Sequence, residues 1–495
     1  VALIRGRRTP RGFVNNRRTA ERLSAALNDL AGEEIALAHH GSVALDRRVV
    51  IEDRLKSGDI PAIVATSSLE LGIDMGAVDL VVLIEAPPSV AAGLQRVGRS
   101  GHKAGLVSKG VLFPKFRGDL LACAASSQAM REAEVEATVV PENPLDVLAQ
   151  QIVAHVSLGP IGEAELYDVV RRAAPFASLP RSAYEGVLDM LSGRYPSDEF
   201  AELRPRVVWD RVTGELSPRH GARRLAVVSG GTIPDRGLFP VFFAGGDKAV
   251  RVGELDEEMV FESRVGEVFL LGASSWRIEE ITHDRVLVTP APGEPGKMPF
   301  WKGDKPGRPL ELGLRIGALA RALAEMQEPA AQKHLSTAYD LDERAARNLA
   351  RYVHEQREAT GEVPSDRTIV IERFRDELGD QRICVLTPVG SRILAAWATA
   401  VTTKLRDERG LDIDAIWTDD GIVFRLPDVE SAPEIDAFIP SHEEVEELVV
   451  RGLDKTAVFA SRFRENAGRA LLLPRRMPGK RSPLWAQRKR AADLL

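Results

Sequence analysis

The sequence contains few of the residues that stabilise small secreted or metal-dependent folds. Among its 495 residues are two cysteines, Cys123 and Cys384, which stand far apart without metal-ligating residues near them. This excludes a disulfide framework and a cysteine-based zinc site, and it suits a reducing cytosol, so we expect a cytoplasmic protein. The nine histidines show no HExxH or similar spacing, and we predict no metal site within the chain.

Long apolar runs, a leader pattern and a basic excess are absent as well. No apolar run reaches the ~18 residues that a membrane-spanning helix needs, and we expect no membrane partner. Several arginines interrupt the region where a signal peptide would have its apolar core. The formal net charge is −6, but basic clusters occur at residues 5–18, 204–224 and 475–490. Local charge rather than the sum decides phosphate binding, so nucleic acid remains a possible partner.

A phosphate-binding loop of the GxxxxGK[ST] type and an acidic DExH segment are also absent. The nearest glycine–lysine segment, residues 293–298, has the wrong spacing and no hydroxyl residue after its lysine. A motor ATPase needs such a loop for the phosphates and an acidic pair for Mg²⁺. We therefore expect this chain alone to be inactive as an ATPase.

What the sequence does contain is, first, an alternation of strand and helix up to about residue 130. Apolar periodicity predicts helices at residues 19–30, 45–56 and 90–97 and buried strands at residues 60–66 and 80–84. Leu23, Leu27 and Leu30 share one face of the first helix. Strand and helix alternating at these lengths predict a parallel sheet with crossover helices.

The pattern changes after residue 140. Helices are predicted at residues 144–156, 163–174 and 181–191, followed by strands at residues 206–211 and 223–228. Three short helices and a two-stranded wing resemble a winged helix. Residues 231–289 are mostly strand, and mixed helices and strands follow a Pro/Gly-rich segment at residues 290–309. We predict an α/β and α+β multidomain protein: residues 1–130 a parallel α/β domain, which the resemblance described below implies is RecA-like, 131–228 a winged helix, and 229–495 a large mixed β-rich module.

Two segments of the first domain have residue types that suit phosphate chemistry. Residues 65–74 follow a predicted strand, and the hydroxyl of Thr66 can donate to a phosphate there. In the same segment Gly72 permits a turn and Asp74 can accept from a ribose hydroxyl; an ordinary strand-to-helix loop is an equal alternative.

The second segment, residues 95–102, places Arg96 and Arg99 on one helical face before a glycine-rich turn. Arginines so placed can stabilise a transferring phosphoryl group. The alternative is a solvated helix end with arginines that favour the helix dipole, but it does not explain Gln95 and the two glycines.

Four segments in order, FVNNRR at residues 13–18, HHGS at 39–42, TSSLELGID at 66–74 and QRVGRSGH at 95–102, resemble motifs IV to VI of superfamily 2 helicases. Those motifs lie in the second RecA-like domain of the motor. The resemblance implies that Arg99 faces the ATP γ-phosphate with Arg96 as its helper. His102 stands where the family commonly has a further arginine, so the resemblance does not imply a second arginine at the γ-phosphate.

By the same resemblance, two groups of residues have roles in binding. The nucleotide side is formed by Gln95, Gly72 and Asp74. The phosphates of the translocated strand are contacted by Arg17, Arg18, His40 and Thr66.

Later segments resemble the Lhr (large helicase-related) family: NPLDVLAQQI at residues 143–152, GRYPSDEF at 193–200, SGGTIPDRGLF at 229–239, ASSW at 273–276 and PFWKGD at 299–304. The resemblance implies a 3′–5′ DNA helicase that uses ATP and Mg²⁺, translocates on single-stranded DNA or duplexes with a 3′ tail, and acts in DNA repair. It also implies that a first RecA-like domain, outside this chain, holds most of the nucleotide. Residues 1–12 do not resemble the strand expected before Phe13, and we expect truncation at both ends.

Two further residues are candidate contacts for bases. Trp301 lies among lysines in a Pro/Gly-rich loop, an arrangement that stacks bases in single-strand binding, and the alternative is a ring that covers a local cluster. Ile233 is a candidate apolar wedge between bases, with a plain core residue as the alternative. Arg181, Arg204 and Arg206 are candidate backbone contacts, or are simply solvated.

Two other functions remain open at this level. One is a non-catalytic module that binds single-stranded nucleic acid. The other is an RNA-directed superfamily 2 ATPase, because motifs that grip a backbone can act on either strand type.

Overall fold

The computed structural model describes most of the chain. The described residues are 2–5, 10–41, 43, 45–57, 59–70, 78–101, 107–195, 204–233, 238–245, 250–256, 259–260, 263–271, 274–282, 284–292, 307–375, 381–426, 433–454, 457–473 and 484–494. None of the helices in these ranges combines the length and the apolar character needed to cross a bilayer.

A five-stranded parallel sheet forms the first domain. Its strands are β1 Pro10–Phe13, β2 Ala36–His39, β3 Ala62–Ala65, β4 Leu80–Ile84 and β5 Gly110–Phe113, in the order β2-β3-β1-β4-β5. Its helices are α1 Ala2–Arg5, α2 Arg17–Ala31, α3 Leu45–Ser57, α4 Val90–Val97 and α5 Asp119–Glu132, with a 3₁₀ turn at Ser67–Leu69. The predicted parallel sheet with crossover helices is confirmed, and all its strands end at one edge.

Two local expectations in this domain were wrong. Residues 10–12 belong to β1, which lies in the middle of the sheet and pairs with both β3 and β4. Hydrogen bonds from two neighbours form this strand, and its own side chains give little strand signal. Leu30 is 78% exposed, although Leu23 and Leu27 pack against the sheet, because it lies in the last turn before Gly32 ends the helix.

The second region is a winged helix, as predicted. Its helices are α6 Leu145–Val156, α7 Glu163–Arg171, α8 Arg181–Ser192 and α9 Ala222–Val228, and its strands are β6 Ile161–Gly162, β7 Val207–Trp209 and β8 Glu215–Pro218, in the order β6-β8-β7. The strand predicted at residues 223–228 is therefore a helix. β6 pairs with β8 in the place that was predicted for residues 223–228. Ala222 and Leu225 pack on the winged-helix core, and their spacing is that of a helix.

The remaining elements form two more sheets and a set of helices. An antiparallel-rich sheet contains β9 Leu238–Phe243, β10 Arg251–Asp256, β11 Val268–Leu271, β12 Ser274–Ile281 and β13 Val286–Pro290, in the order β10-β9-β13-β12-β11. Helices α10 Leu310–Glu325, α11 Glu328–Ala338 and α12 Glu343–Thr360 follow. An antiparallel sheet in the order β14-β15-β17-β16 contains β14 Val370–Arg375, β15 Gln381–Leu386, β16 Asp414–Trp417 and β17 Gly421–Leu426. The last helices are α13 Ser391–Arg409, α14 Val445–Leu453, α15 Ala457–Arg469 and α16 Leu484–Leu494.

Packing between distant segments joins these regions. One apolar core contains Leu120 and Ala124 of α5 together with Leu312 and Ile316 of α10. Arg117, in the loop before α5, pairs with Glu355 of α12 at 2.7 Å. The fold class is confirmed as a mixed α/β and α+β multidomain structure, and the domain boundaries stay predictions. Because α10 and α12 lie directly on the first domain, its sheet edge faces a wall formed more than two hundred residues later.

Candidate strand-binding cleft and nucleotide edge

A cleft of about 2000 Å³ lies between the edge where the parallel strands end and the wall that contains α10 and β15. Loops that follow β1, β3, β4 and β5 form the first side, which is where parallel α/β sheets present their ligand sites. Its lining includes Asn15, Arg17, Thr66, Ser68, Glu70, Arg96 and Phe116. The opposite wall contributes Arg308, Pro309, Arg392 and Asp419.

His39 holds the loop after β3 in place through hydrogen bonds. The backbone N–H of Thr66 donates to the His39 carbonyl at 3.2 Å, and the Ser68 hydroxyl donates to the same oxygen at 3.1 Å. The His39 ring is 1% exposed and lies with Nδ1 2.9 Å from Ser68 Oγ and Nε2 3.1 Å from Glu52 Oε1. Burial lowers the pKa of His39, although Glu52 opposes the shift. These hydrogen bonds fix the position of Thr66 at the sheet edge.

Two residues near α2 that were predicted to contact the nucleic-acid strand have different positions. Arg17 lines the cleft, whereas His40 lies behind it. Arg17 is the first residue of α2 and lines the cleft, and a Cβ added to Gly41 would stand 3.6 Å from its Nη2. His40 is 5% exposed, with Nε2 2.8 Å from Glu21 Oε1, so it connects its loop to α2 and does not line the cleft. Arg18 belongs to α2, but its side chain lies outside the description.

Arg96 is buried and connects the loops at the sheet edge. It is 3% exposed, its Nε donates to Glu70 Oε1 at 2.6 Å, and its Nη1 donates to Asn15 Oδ1 at 2.8 Å. The Asn15 amide in turn donates to the Ala86 carbonyl at 2.8 Å, and the Arg96 guanidinium lies 5.8 Å from the Phe13 ring centroid. This geometry favours a positioning role for Arg96 over the direct helper role that the resemblance implied.

Gln95 lies in the last turn of α4, Arg99 follows the helix by two residues, and both stay accessible. Arg99 is half-buried and donates through Nη2 to the Glu70 carbonyl, whereas Gln95 is exposed. A guanidinium has five N–H donors in a planar fork, so Arg99 can keep this bond and still donate to a phosphate. These two residues therefore fit one side of a nucleotide. Gly72, Asp74 and Trp301 lie outside the described residues.

The turn after Arg99 is rigidly held. Ser100 Oγ donates to the Val97 carbonyl at 2.7 Å and accepts from the Lys109 N–H at 2.7 Å. Gly101 has φ +64°, and a Cβ there would stand 2.9 Å from the Val107 carbonyl oxygen. Any side chain at Gly101 would displace this turn, and the arginine position depends on it.

Sequence reasoning missed several residues of the cleft. Phe116 follows β5 and is 65% exposed beside Lys115, and the logic applied to Trp301, an aromatic among cations, could have found it. The backbone N–H of Arg308 donates to Asp419 Oδ1 at 2.8 Å, and the backbone N–H of Ser391 donates to the same oxygen at 2.9 Å. Burial alone would raise the pKa of Asp419, but these hydrogen bonds hold it below its usual value. No local sequence signal places this wall opposite Thr66.

Ile233 is 87% exposed, so the alternative of a core residue is wrong. Its loop is anchored by Gln150, whose side chain is 3% exposed and exchanges hydrogen bonds of 3.0 and 3.2 Å with the Gly231 backbone. Ile233 is not among the residues that line the cleft.

Three protein families match successive parts of the chain. Residues 8–104 match "Helicase conserved C-terminal domain", residues 128–298 match "Large helicase-related protein, winged helix domain", and residues 363–495 match "DEAD/H associated". Together they cover the first domain, the winged helix and the last part of the chain.

Individual relatives agree with these families. The chain is 53% identical to the Lhr helicase/probable uracil glycosylase of Mycolicibacterium smegmatis and 46% identical to the Lhr helicase/uracil glycosylase of Escherichia coli, with 100% and 98% of the chain aligned. It spans about a third of the length of each, 35% and 34%. A solved structure of the Mycobacterium smegmatis helicase Lhr bound to ssDNA and AMP-PNP matches all of the chain with a TM-score of 0.78 and 50% identity, over 59% of that structure's chain. The chain belongs to the Lhr family of superfamily 2 helicases.

Proposed function

We propose that the chain forms the strand-binding and arginine-finger part of an ATP-dependent DNA helicase that moves 3′ to 5′ on single-stranded DNA and acts in DNA repair in the cytoplasm. The observation that supports it is the cleft, which brings Arg17 and Thr66 together at one sheet edge. The similar M. smegmatis helicase was solved with ssDNA and AMP-PNP, which is consistent with both ligands.

The strand side of the mechanism depends on backbone phosphates. The Thr66 hydroxyl and the Arg17 guanidinium donate to phosphate oxygens, which fixes the strand without reading its sequence. Arg392 lies on the opposite wall of the same cleft and adds positive charge there. Phe116 offers a ring face on which a base can stack. Ile233, which does not line this cleft, and Trp301 remain predicted contacts that separate or hold the strand.

The nucleotide side depends on Arg99. ATP supplies the phosphoryl transfer whose developing charge an arginine finger stabilises. Arg99 donates to the γ-phosphate while Gln95 contacts the nucleotide, with Gly72 and Asp74 as further predicted contacts. The phosphate loop and the Mg²⁺ ligands belong to a first RecA-like domain that closes against this edge.

Glu70 links the two sides. Its carbonyl oxygen accepts from Arg99, its carboxylate accepts from Arg96, and it lies four residues after Thr66 in the same loop. A movement of Arg99 when a nucleotide binds or leaves is therefore transmitted to Thr66 through one short segment, residues 66–70. This connection gives a physical route from ATP turnover to strand movement.

The test compares ATP hydrolysis by this chain, by the chain joined to a first RecA-like domain, and by the joined protein carrying Arg99→Ala. We expect turnover stimulated by single-stranded DNA only in the joined wild type, and a loss of about 10³-fold or more for Arg99→Ala. Arg347→Ala is the matched control, because Arg347 is exposed, pairs with Glu343 of its own helix and does not line the cleft.

Other outcomes would favour the other two functions. A joined protein that binds DNA and never hydrolyses ATP would support a non-catalytic binding module. Stronger stimulation by RNA than by a DNA strand of the same sequence would support an RNA-directed ATPase.

A further inference from the structure

The segment that connects α5 to the winged helix sends an acidic side chain back to the helix that precedes Arg99. This connecting segment is residues 133–144, and Glu136 lies within it. Glu136 Oε1 accepts from the backbone N–H of Val90 at 2.6 Å, and its Oε2 accepts from that of Ala91 at 3.1 Å. One carboxylate therefore binds the first two N–H groups of α4, although Val90 lies 46 residues earlier in the chain.

These contacts fix the start of α4. The first N–H groups of a helix have no partner inside it, and a carboxylate at that end is also favoured by the helix dipole. Ser89 Oγ accepts from the Ala92 N–H at 3.1 Å, so the first three helical positions all have partners. A Cβ added to Gly93 would stand 2.3 Å from Met130 Sδ, which shows how closely α4 packs on α5. The helix has 8 residues, a length of about 12 Å, and its two ends move together.

The other end of α4 sets the position of Arg99. Arg96 lies in the last turn of the helix, and the backbone N–H of Arg99 donates to the Arg96 carbonyl at 3.1 Å. The Arg99 backbone is thus attached to the helix by a hydrogen bond as well as by the chain. A displacement at Val90 is therefore carried along α4 to the arginine at the nucleotide edge.

The connecting segment is also attached to the wall opposite the sheet edge. Arg315 of α10 pairs with Glu134 at 2.9 Å and with Glu132, the last residue of α5. Glu136 follows Glu134 by two residues and reaches α4. A short path of ion pairs and hydrogen bonds therefore runs from α10 through these acids to the start of α4.

We propose that Glu136 is a positioning residue for Arg99 and couples the opposite wall to ATP hydrolysis. A strand in the cleft lies between α10 and the sheet edge, so its entry sets the position of Arg315 relative to α4. The connecting segment then carries this position to Arg99. The path does not pass through Glu70, which links Arg99 to Thr66. The inference rests on the proposed function, which gives Arg99 its role at the γ-phosphate.

The experiment uses the chain joined to a first RecA-like domain, with Glu136→Ala and Arg315→Ala introduced alone and together. ATP hydrolysis is titrated with ATP and with a short single-stranded DNA. Glu136→Ala should lower the DNA-stimulated kcat at least tenfold, because a misplacement of about 1 Å costs about 10²-fold in rate. The KM for ATP should stay near the wild-type value, since a group that acts mainly in the transition state changes kcat more than KM.

The effect on DNA affinity separates this role from competition with the strand. Glu136 lines the cleft, and Glu136→Ala removes an acid but no phosphate donor from it. The DNA concentration at half-maximal stimulation should therefore not rise. Tighter DNA binding with an unchanged kcat would overturn the proposal, because the carboxylate would then only occupy the place of a phosphate.

The double variant separates positioning from the loss of a helix cap. Arg315 does not line the cleft, so Arg315→Ala should lower kcat only through the connecting segment. The double variant should be no slower than Glu136→Ala, because both residues act on one path. Losses that multiply in the double variant would overturn the proposal. Glu136→Gln keeps one acceptor oxygen and should retain part of the rate. Glu142→Ala should match wild type, because Glu142 is an exposed acid of the same segment and does not line the cleft.

Hydrogen–deuterium exchange of the Val90 and Ala91 amides tests the connection in the chain alone, without turnover. Arg315→Ala should lower their protection, while the amides of β15 exchange as in wild type and show that the fold is intact. Unchanged protection of Val90 and Ala91 in this variant would overturn the proposal, and so would a wild-type kcat in Glu136→Ala. If the joined wild type never hydrolyses ATP, the proposed function fails and this proposal with it; if it does and the variants match it, this proposal fails alone.

Discussion

Removal of Arg96 is the perturbation that most directly tests the architecture of the sheet edge. The Arg96 and Glu70 side chains are 4% and 13% exposed and meet at 2.6 Å. Arg96→Ala leaves the Glu70 carboxylate buried without its cation and takes the donor away from Asn15 Oδ1. An uncompensated buried charge is costly because little water reaches it.

The expected magnitude follows from measured losses of single partners in buried pairs. Such losses are about 3–5 kcal/mol, which corresponds to a roughly 100- to 4000-fold increase in the local opening equilibrium. The loss of stability should appear at the hydrogen bonds that anchor the loops after β1 and β3. The Val14 N–H donates to the Ala65 carbonyl at 2.9 Å, and the Thr66 N–H donates to the His39 carbonyl at 3.2 Å.

Hydrogen–deuterium exchange of these two amides is the assay, because it reports local opening without requiring a single unfolding transition. We expect Val14 and Thr66 to lose protection in Arg96→Ala, whereas the amides of β15 should exchange as in wild type. The variant Arg96→Met/Glu70→Leu should recover most of the protection, because replacing both charges leaves none buried alone.

Two results would refute this reasoning. Wild-type exchange in Arg96→Ala would mean that the pair does not hold the loops together. A double variant as unprotected as Arg96→Ala would mean that packing of the arginine stem, rather than the buried charge, is responsible.

Three further predictions concern the cleft and its opposite wall. Phe116→Ala should weaken binding of single-stranded DNA by about 1–3 kcal/mol while Phe116→Trp keeps it, and equal affinities in a titration would contradict base stacking. His39→Leu should raise the Kd for the same strand, whereas His39→Asn should largely retain it by keeping a polar group beside Ser68; equal losses in both would indicate a purely structural role. Asp366 accepts two hydrogen bonds from Arg321, at 2.9 and 3.0 Å, which hold its pKa below the usual value. Since the folded pKa is depressed, this stabilisation is present above the unfolded pKa and is lost as pH falls through the folded value. Asp366→Asn should therefore lower the urea midpoint at pH 7 and leave it unchanged at a pH below the folded pKa.

The first domain shows how far local pattern can be trusted. β3 and β4 are β-branched and buried, and the sequence predicted them within one or two residues. β1 has the sequence Pro-Arg-Gly-Phe and gave no such signal, because its strand conformation comes from pairing with two neighbours. The strand predicted at residues 223–228 failed for the opposite reason: apolar residues there suit either structure, and packing on the winged-helix core selected the helix.

The candidate site, too, could be predicted only in part from the sequence. Motif order predicted that Arg96 and Arg99 belong to one functional segment, and both donate to Glu70, Arg96 from the last turn of α4 and Arg99 from just after it. Their different environments could not be predicted, because burial of Arg96 depends on Asn15, which is 81 residues away in sequence.

The family, the alternation of strands and helices, and the residue types at each strand end could be read from local spacing and composition. Long-range packing was needed to show which arginine is buried and which is accessible, and that Arg308, Arg392 and Asp419 face Thr66 across one cleft. Such placements arise from long-range packing of α5 on α10, and packing of this kind has no signature in any single stretch of sequence.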